Sequence, residues 1–386
     1  MKINSIKFIN HSSSWELEKT VFDRVTLLVG VSGAGKTQIL QAIMSIKEIV
    51  KGKSLNGVEW EIDFSTNDNG NYKWSGKFET IPNFDQLLFN LTKRINKSKN
   101  DDDDDDESKM PKLIYEKLYR NDLLVYERDE QTIKFQEQEL PKISPYKSLL
   151  NILTEEAVIS PVIEAFRKIH LFQYERESRL LLPTVAVKNC KLEFNDLELI
   201  KKTRIPVIHK LALLYQCFPS LFNSIKEDFI NIFGQVDDVR FTSIATNAEL
   251  GDIYIMQIKE KGTGWISQFL ISSGMYKTLL HIVETKLLED GTVVLIDEFE
   301  NSLGVNCIDV LADDITSSNR GIQFIITSHH PYIINNINMN NWKIVMRQGS
   351  KVFTKRADEL NLGKSKHQAF KQLINSKEYN VGISEA

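Results

Sequence analysis

The sequence predicts an α/β fold: a mixed, partly parallel sheet with flanking helices, an antiparallel β subdomain and an inserted helical arm. Three observations carry that prediction. An apolar strand run, Val25 to Val29, leads through a glycine-rich turn directly into the helix-compatible run Gln38 to Val50. A second apolar run, Thr292 to Ile296, ends abruptly in the carboxylates Asp297 and Glu298. Between about Ile258 and Phe353 helical and strand patterns alternate. That alternation is the mark of a parallel sheet, because each parallel strand needs a crossover.

Taken in order, the N-terminal third supplies short β runs. Ile3 to Ile9, Val58 to Phe64 and Asn71 to Phe78 are rich in β-branched or aromatic residues, and Thr66-Asn67-Asp68-Asn69-Gly70 between the last two reads as a hairpin turn. Residues 1–92 are therefore expected to form the first part of the domain. Lys93 to Glu107, KRINKSKNDDDDDDE, holds almost no apolar residues and cannot offset its ordering entropy. A disordered charged loop is expected at 93–110. Asp122 to Tyr126 and Thr132 to Phe135 add strands within 111–145. Helical patterns then run from about Tyr146 to Arg179 and from Leu197 to Phe233, with Leu211, Leu214, Phe218 and Leu221 on one face. The helical arm is placed at 146–234, and the second part of the domain, opening with strands at Val236 to Ile244 and Asp252 to Ile258, at 235–386.

Composition narrows the class without naming a function. Of 386 residues only 18 are Gly and 9 Pro, which excludes collagen-like and low-complexity chains, and 42% are hydrophobic, enough to bury a core. The formal charge is −4, yet seven acids sit in Asp101 to Glu107; outside that run 45 acids face 48 bases. The acidity is local and argues neither for nor against a nucleic-acid partner. Cys190, Cys217 and Cys307 form no Cys-x-x-Cys pair, so no zinc ribbon or disulfide framework is expected, and a reducing compartment is. No stretch reaches the ~18 apolar residues a membrane span needs. A cytoplasmic protein is the expectation.

The most specific motif is Gly30-Val31-Ser32-Gly33-Ala34-Gly35-Lys36-Thr37, which satisfies G-x-x-x-x-G-K-[ST] between a strand and a helix. Glycines let successive backbone N–H groups curl toward phosphates at the helix N-terminus. The residues expected to bind the nucleotide are Gly30, Ser32, Gly33, Ala34, Gly35, Lys36, Thr37 and Gln38. Lys36 neutralises the β and γ phosphates, and Thr37 ligates Mg²⁺. A turn that merely connects strand to helix is the plain alternative; all four fixed positions in that context weigh against it.

Asp297, at the end of its strand run, suits the hydration shell of Mg²⁺, and Glu298 beside it suits the polarisation of an attacking water. Ile271-Ser272-Ser273-Gly274-Met275-Tyr276-Lys277 opens a helix 25 residues before Asp297, and Thr327-Ser328-His329-His330-Pro331 follows a strand, with His329 32 residues after Asp297. Taken singly, Ser272-Ser273-Gly274 also reads as an N-cap and the histidines as loop residues. The joint order of four elements favours a site.

That order resembles the ABC-type ATPase heads, which include transporter cassettes, RecF and the structural-maintenance-of-chromosomes proteins. The resemblance implies ATP and Mg²⁺ as cofactors and two heads face to face. In such a pair Ser272, Ser273 and Gly274 of one head cap the γ-phosphate held by the other, while Glu298, His329 and Lys36 are catalytic in cis. Residues 1–50 and 235–355, with Ile296-Asp297-Glu298-Phe299-Glu300-Asn301 and Thr327 to Pro331, most resemble the RecF/OLD-like ATPases of bacterial anti-phage defence, such as the Septu PtuA, PARIS and retron-associated ATPases. The chain departs from the wider family at Leu303-Gly304, where Leu-Asp is usual. Gln131, Gln136, Gln138 and Gln173 all stand as candidates for the family's glutamine loop, and a side chain from Asn10 to Trp15, or Phe22, for the adenine contact.

Only 56 residues follow His330, too few for the Toprim nuclease domain of the OLD proteins, and no His-Asn-His pattern is present. The resemblance therefore implies a slow, dimerisation-dependent ATPase that senses and scaffolds. It would form a homodimer or higher even-numbered homo-oligomer, with a separately encoded nuclease or toxin as effector and a phage protein or DNA as trigger. A RecF-like repair ATPase that clamps DNA, and a module in which ATP is structural glue, remain as alternatives.

Overall fold

The computed structural model describes residues 1–66, 68, 70–82, 110–172, 182–183, 196–203, 205–245, 253–300, 320–360, 372 and 383–384. In chain order the first strands are β1 (Lys2–Asn10), β2 (Trp15–Val21), β3 (Val25–Val29), β4 (Val58–Ser65), β5 (Asn71–Phe78), β6 (Leu113–Arg120), β7 (Leu123–Arg128), β8 (Ile133–Phe135), β9 (Gln138–Glu139) and β10 (Ile169–Phe172). They are followed by β11 (Leu182–Pro183), β12 (Val236–Ile244), β13 (Ile253–Glu260), β14 (Trp265–Ser267), β15 (Val293–Ile296), β16 (Gln323–Ser328), β17 (Trp342–Gln348), β18 (Lys351–Arg356) and β19 (Ile383–Ser384). The helices are α1 (Lys36–Val50), α2 (Leu149–Ile152), α3 (Ser160–Arg167), α4 (Leu197–Lys202), α5 (Val207–Cys217), α6 (Pro219–Ile232), α7 (Ser273–Leu287) and α8 (Pro331–Asn336). The fold is α/β, as the sequence predicts.

The chain divides into two compact units, Met1–Leu171 with Gly291–Asp297 and Ser318–Ala386, and Phe172–Asp290 with Glu298–Ser317. The first holds a large mixed sheet in the order β10-β15-β16-β3-β17-β18-β2-β1-β4-β5-β6-β7-β8-β9. Pairing is parallel from β15 through β16 and β3 to β17, and antiparallel from β2 through β1 to β9. The parallel strands β15, β3 and β16 are buried at every position, the pattern of a sheet covered on both faces. Helix α1 buries Ile39, Leu40, Ile43, Ile46, Ile49 and Val50, an i, i+3, i+4 stripe. Lys47 of α1 donates to the carbonyl oxygens of Arg167 and Ile169, closing the C-terminal end of α3.

The antiparallel part has an aromatic interior. Trp60 and Trp74 meet edge to face at 5.0 Å, and Phe166 of α3 sits edge-on to both Trp74 (5.6 Å) and Phe64 (5.2 Å). Among these rings lies one fully buried acid, Glu116 of β6. Its carboxyl group accepts from Trp74 Nε1 (2.9 Å), Tyr126 Oη (2.8 Å), Ser148 Oγ (2.5 Å) and the Leu149 amide (2.9 Å). It thereby joins β5, β6, β7 and the start of α2.

In the second unit β11, β13, β12 and β14 form a small antiparallel sheet beside α5, α6 and α7. The helical run expected from Tyr146 to Arg179 differs in detail. Its first part is two short helices followed by β10, residues 146–171 belong to the first unit, and 173–179 lie outside the described residues. The loop expected at 93–110 is likewise outside them, apart from Met110. Among the described residues no helix is long and apolar enough to cross a membrane.

Replacing Glu116 by Leu leaves four donors without their common acceptor. We expect a loss of about 3 kcal/mol or more, since each stranded buried donor costs ~1–3 kcal/mol, read as a lowered urea midpoint.

Candidate functional site

The central strand β3 delivers the chain into the loop Gly30–Gly35 and then α1. Gly33 and Gly35 have φ of 84° and 106°, conformations that only glycine adopts at no steric cost. Gly30 is required for a different reason. A Cβ there would come within 2.6 Å of the Val345 carbonyl oxygen on β17, which is backbone and yields only if the strand shifts. Helix α1 begins after Gly35 with no side-chain cap on its first turn. The first N–H groups of a 15-residue helix therefore face outward at the loop, where an anion is the natural partner.

Two side chains complete this edge. Lys36 Nζ donates to the carbonyl oxygens of Gly30 (2.8 Å) and Val31 (3.0 Å), which folds the ammonium group back over the loop. Thr37 Oγ1 donates to Asp297 Oδ1 at 3.1 Å, across 260 residues of sequence. Asp297 reaches it because β15 and β3 both pair in parallel with β16: Ile296 is opposite Ile326, and Val29 is opposite Ser328. Three adjacent parallel strands thus release Gly30, Asp297 and His329 at the same sheet edge, the usual place for a ligand in such sheets.

One residue of this cluster is assigned no role by the sequence. Thr327, fully buried on β16, donates from Oγ1 to the same Asp297 Oδ1 at 2.6 Å. Two hydroxyls converge on one carboxylate oxygen and fix its direction. The hard oxygen set of Thr37 and Asp297 suits a hydrated Mg²⁺ that takes its remaining ligands from phosphate and water. Among the described residues no group of three or more His, Cys, Asp or Glu is placed to hold a metal, so an all-protein cage is not on offer there.

Beside this edge, still within the first unit, is a cavity of about 440 Å³ lined by Asn10, Ser12, Ser13, Trp15, Gln38 and Gln41 among others. Trp15 Nε1 and Gln38 Oε1 are buried without a hydrogen-bond partner. A donor and an acceptor stand ready at its wall, which fits a flat heteroaromatic group with polar edges. Of the candidates for a base contact, Asn10 and Trp15 face this cavity, whereas Phe22 is packed into the core. Gln131 lies beside β8, Gln136 between β8 and β9 and Gln138 on β9, at the opposite end of the strand order from β15 and well removed from β3. Gln173 lies outside the described residues.

The remaining predicted residues belong to the second unit. Ser272 is the N-cap of α7 and its Oγ accepts from the Met275 amide at 3.3 Å, so this hydroxyl is engaged locally. Ser273 is exposed and Gly274 half-buried. Glu298, exposed, adopts φ 46°, the left-handed region unusual for a residue with a side chain. Further along α7, burial pushes the His281 imidazole down to about 4, so the ring is neutral at pH 7.

Residues 196–335 match the family described as "AAA domain, putative AbiEii toxin, Type IV TA system". The match takes in Ser272–Gly274, Asp297, Glu298 and His329, and it is independent of the glycine-rich loop at 30–37. Similar solved structures include an SMC head bound to the C-winged helix domain of ScpA, at 14% identity over 94% of this chain and 99% of that one, TM-score 0.47. Others are an SMC head with an extended coiled coil bound to the C-terminal domain of ScpA, from Pyrococcus furiosus (14%, 93% and 98%, TM-score 0.44), and the SMC head domain from Thermotoga maritima (13%, 92% and 99%, TM-score 0.44). No curated protein matches the chain.

The close approach at Gly30 sets a direct test. Gly30→Ala should destabilise the first unit by about 2 kcal/mol, the scale of overpacking against an unyielding neighbour, in equilibrium unfolding; an unchanged midpoint would show that β17 can give way.

Proposed function

We propose that the chain binds ATP with Mg²⁺ and hydrolyses it, as an ABC-type head. The observation that carries this reading is the meeting of Thr37 and Asp297 at the mouth of the loop formed by Gly30–Gly35. A glycine-rich turn with no ligand does not require a carboxylate brought from another strand to its first helical hydroxyl.

The chain's own groups take defined roles. Backbone N–H groups of Ser32, Gly33 and Gly35 to Thr37 hold the phosphate oxygens, the Ala34 amide being spent on the Val31 carbonyl, and Lys36 exchanges the carbonyls of Gly30 and Val31 for the β and γ phosphates. Thr37 and Asp297 hold Mg²⁺, and Thr327 keeps the Asp297 oxygen aimed. When bound, the metal ion stabilises charge on the phosphates. Glu298 accepts the proton of the water that attacks the γ-phosphorus, and the leaving group departs as ADP. His329 contacts the transferred phosphoryl group. The base occupies the cavity walled by Trp15 and Gln38.

The working form is a homodimer, or a higher even-numbered oligomer, in which Ser273 and Gly274 cap the nucleotide of the partner. A helix N-terminus with an exposed hydroxyl binds an anion only when the anion is brought to it. We place this cytoplasmic ATPase in an anti-phage defence system as the sensor that controls a separately encoded nuclease or other toxin, triggered by a phage protein or DNA. The description of the matched family, which names a toxin of a TA system, supports that setting. Growth arrest on expressing this chain alone would make it the toxic component and end the separate-effector reading.

Turnover separates the roles. Lys36→Ala should lose ATP binding, whereas Glu298→Gln should keep ATP binding within twofold and lose about 100-fold or more in kcat, the scale of a positioned general base. Equal turnover of wild type and Glu298→Gln removes the glutamate from its role. Thr327→Val keeps the shape of the strand and removes one hydroxyl from Asp297. It should raise the Mg²⁺ concentration for half-maximal turnover by about tenfold, the scale for losing a group that orients a metal ligand.

A further inference from the structure

Within the second unit, Glu298 is followed by a residue of the opposite character. Glu298 is exposed, whereas Phe299 is 2% exposed. The Phe299 ring meets the His281 ring edge to face, with centroids 5.9 Å apart and planes at 64°. His281 is itself 1% exposed and stands edge-on to Phe172, at 5.5 Å and 82°. It lies two turns into α7, the helix that Ser272 caps, in a stretch buried all round, where Leu280, Ile282 and Val283 are also covered. A three-ring stack therefore runs from Phe172 through α7 to the residue directly after the exposed carboxylate.

Glu298 adopts φ 46°, and nothing about a glutamate favours that conformation. A strained residue persists only where its surroundings over-determine it. The neighbour that supplies the constraint on its C-terminal side is Phe299, because a buried ring set edge to face against His281 fixes the direction of its own backbone and hence of the peptide joining it to Glu298.

We propose that Phe299, held by the His281 ring that in turn packs on Phe172, is a positioning residue that sets the direction of the Glu298 carboxylate and so governs the rate of hydrolysis without touching the nucleotide. This rests on the reading of Glu298 as the base. It assigns to the signature helix α7 a second task inside its own subunit: its N-terminus faces a partner's phosphate while its buried face aims the subunit's own base. The neutral His281 imidazole serves as an aromatic wall, and no proton transfer is asked of it.

The test is a double-mutant cycle on the full chain, with kcat from phosphate release and Kd from ATP titration. Phe299→Ala should lower kcat by about tenfold to 100-fold, the cost of misplacing a reacting group, while Kd for ATP stays within twofold. Phe299→Leu, which refills the space without the ring, should recover part of the rate. In a Glu298→Gln background Phe299→Ala should cause no further loss, a result that general destabilisation cannot mimic. If Phe299→Ala does not fold, His281→Leu removes the same edge-to-face contact and should lower kcat in the same direction. Wild-type turnover in the folded Phe299 or His281 variants, while Glu298→Gln is impaired, overturns the positioning role and leaves the base intact. Further loss in the Glu298→Gln background overturns it as well. Full turnover in Glu298→Gln would instead overturn the functional reading on which the inference rests.

Discussion

The in-register parallel pairing of β15, β16 and β3 is the constraint on which the candidate site depends. No side chain of the loop brings Asp297 to Thr37; the strands do, by ending together. Yet strands buried at every position carry little information about register, because a slip exchanges one apolar face for another. Gln323, a buried amide at the start of β16, supplies the missing marker. Its Nε2 donates to the carbonyl oxygens of Ile3 (2.8 Å) and Asp23 (3.0 Å), and its Oε1 accepts from the Ile3 amide (2.7 Å). A slip of one residue would strand these groups in the core, at a cost larger than the apolar contacts could recover.

Once the register is set, the backbone makes most of the site. Gly33 and Gly35 take left-handed conformations, Gly30 lets β17 approach, and α1 starts without a side-chain cap. Lys36 turns back on the loop and donates to two of its carbonyls. Asp297 is held more firmly, by one exposed and one buried hydroxyl.

How much of this was legible depended on where the pattern was local. β3 and β5 fall on the residues expected, because one is an unbroken apolar run and the other alternates cleanly. β2 was missed, since Glu16, Glu18 and Lys19 on its open face hide an alternation carried inward by Trp15, Leu17 and Thr20. β6 was missed because its pattern places an acid, Glu116, in the core; only its four donors make that sensible. β10, four residues long, is too short to show a period of its own within a run that reads as helix. The glycine-rich motif and the Asp-Glu pair stood out because their chemistry is contiguous in sequence. Thr327 did not, since its role exists only through the pairing of β16 with β15. The conformation of Glu298 was invisible for the same reason: its cause lies in rings from two distant segments.

Magnitudes decide whether that conformation can be held. A left-handed non-glycine residue costs about 1–3 kcal/mol. Burying a phenylalanine ring contributes roughly 2 kcal/mol, and an edge-to-face partner adds about 1 kcal/mol. The anchor at Phe299 therefore matches or exceeds the strain at Glu298. Strain of this size suits the role proposed for Glu298. A carboxylate in a relaxed loop samples many directions, and each unproductive one lowers the rate in proportion to its population. A carboxylate on a backbone held off its preferred basin by a buried neighbour has fewer places to go, and its aim is set by packing in a core that nucleotide need not enter.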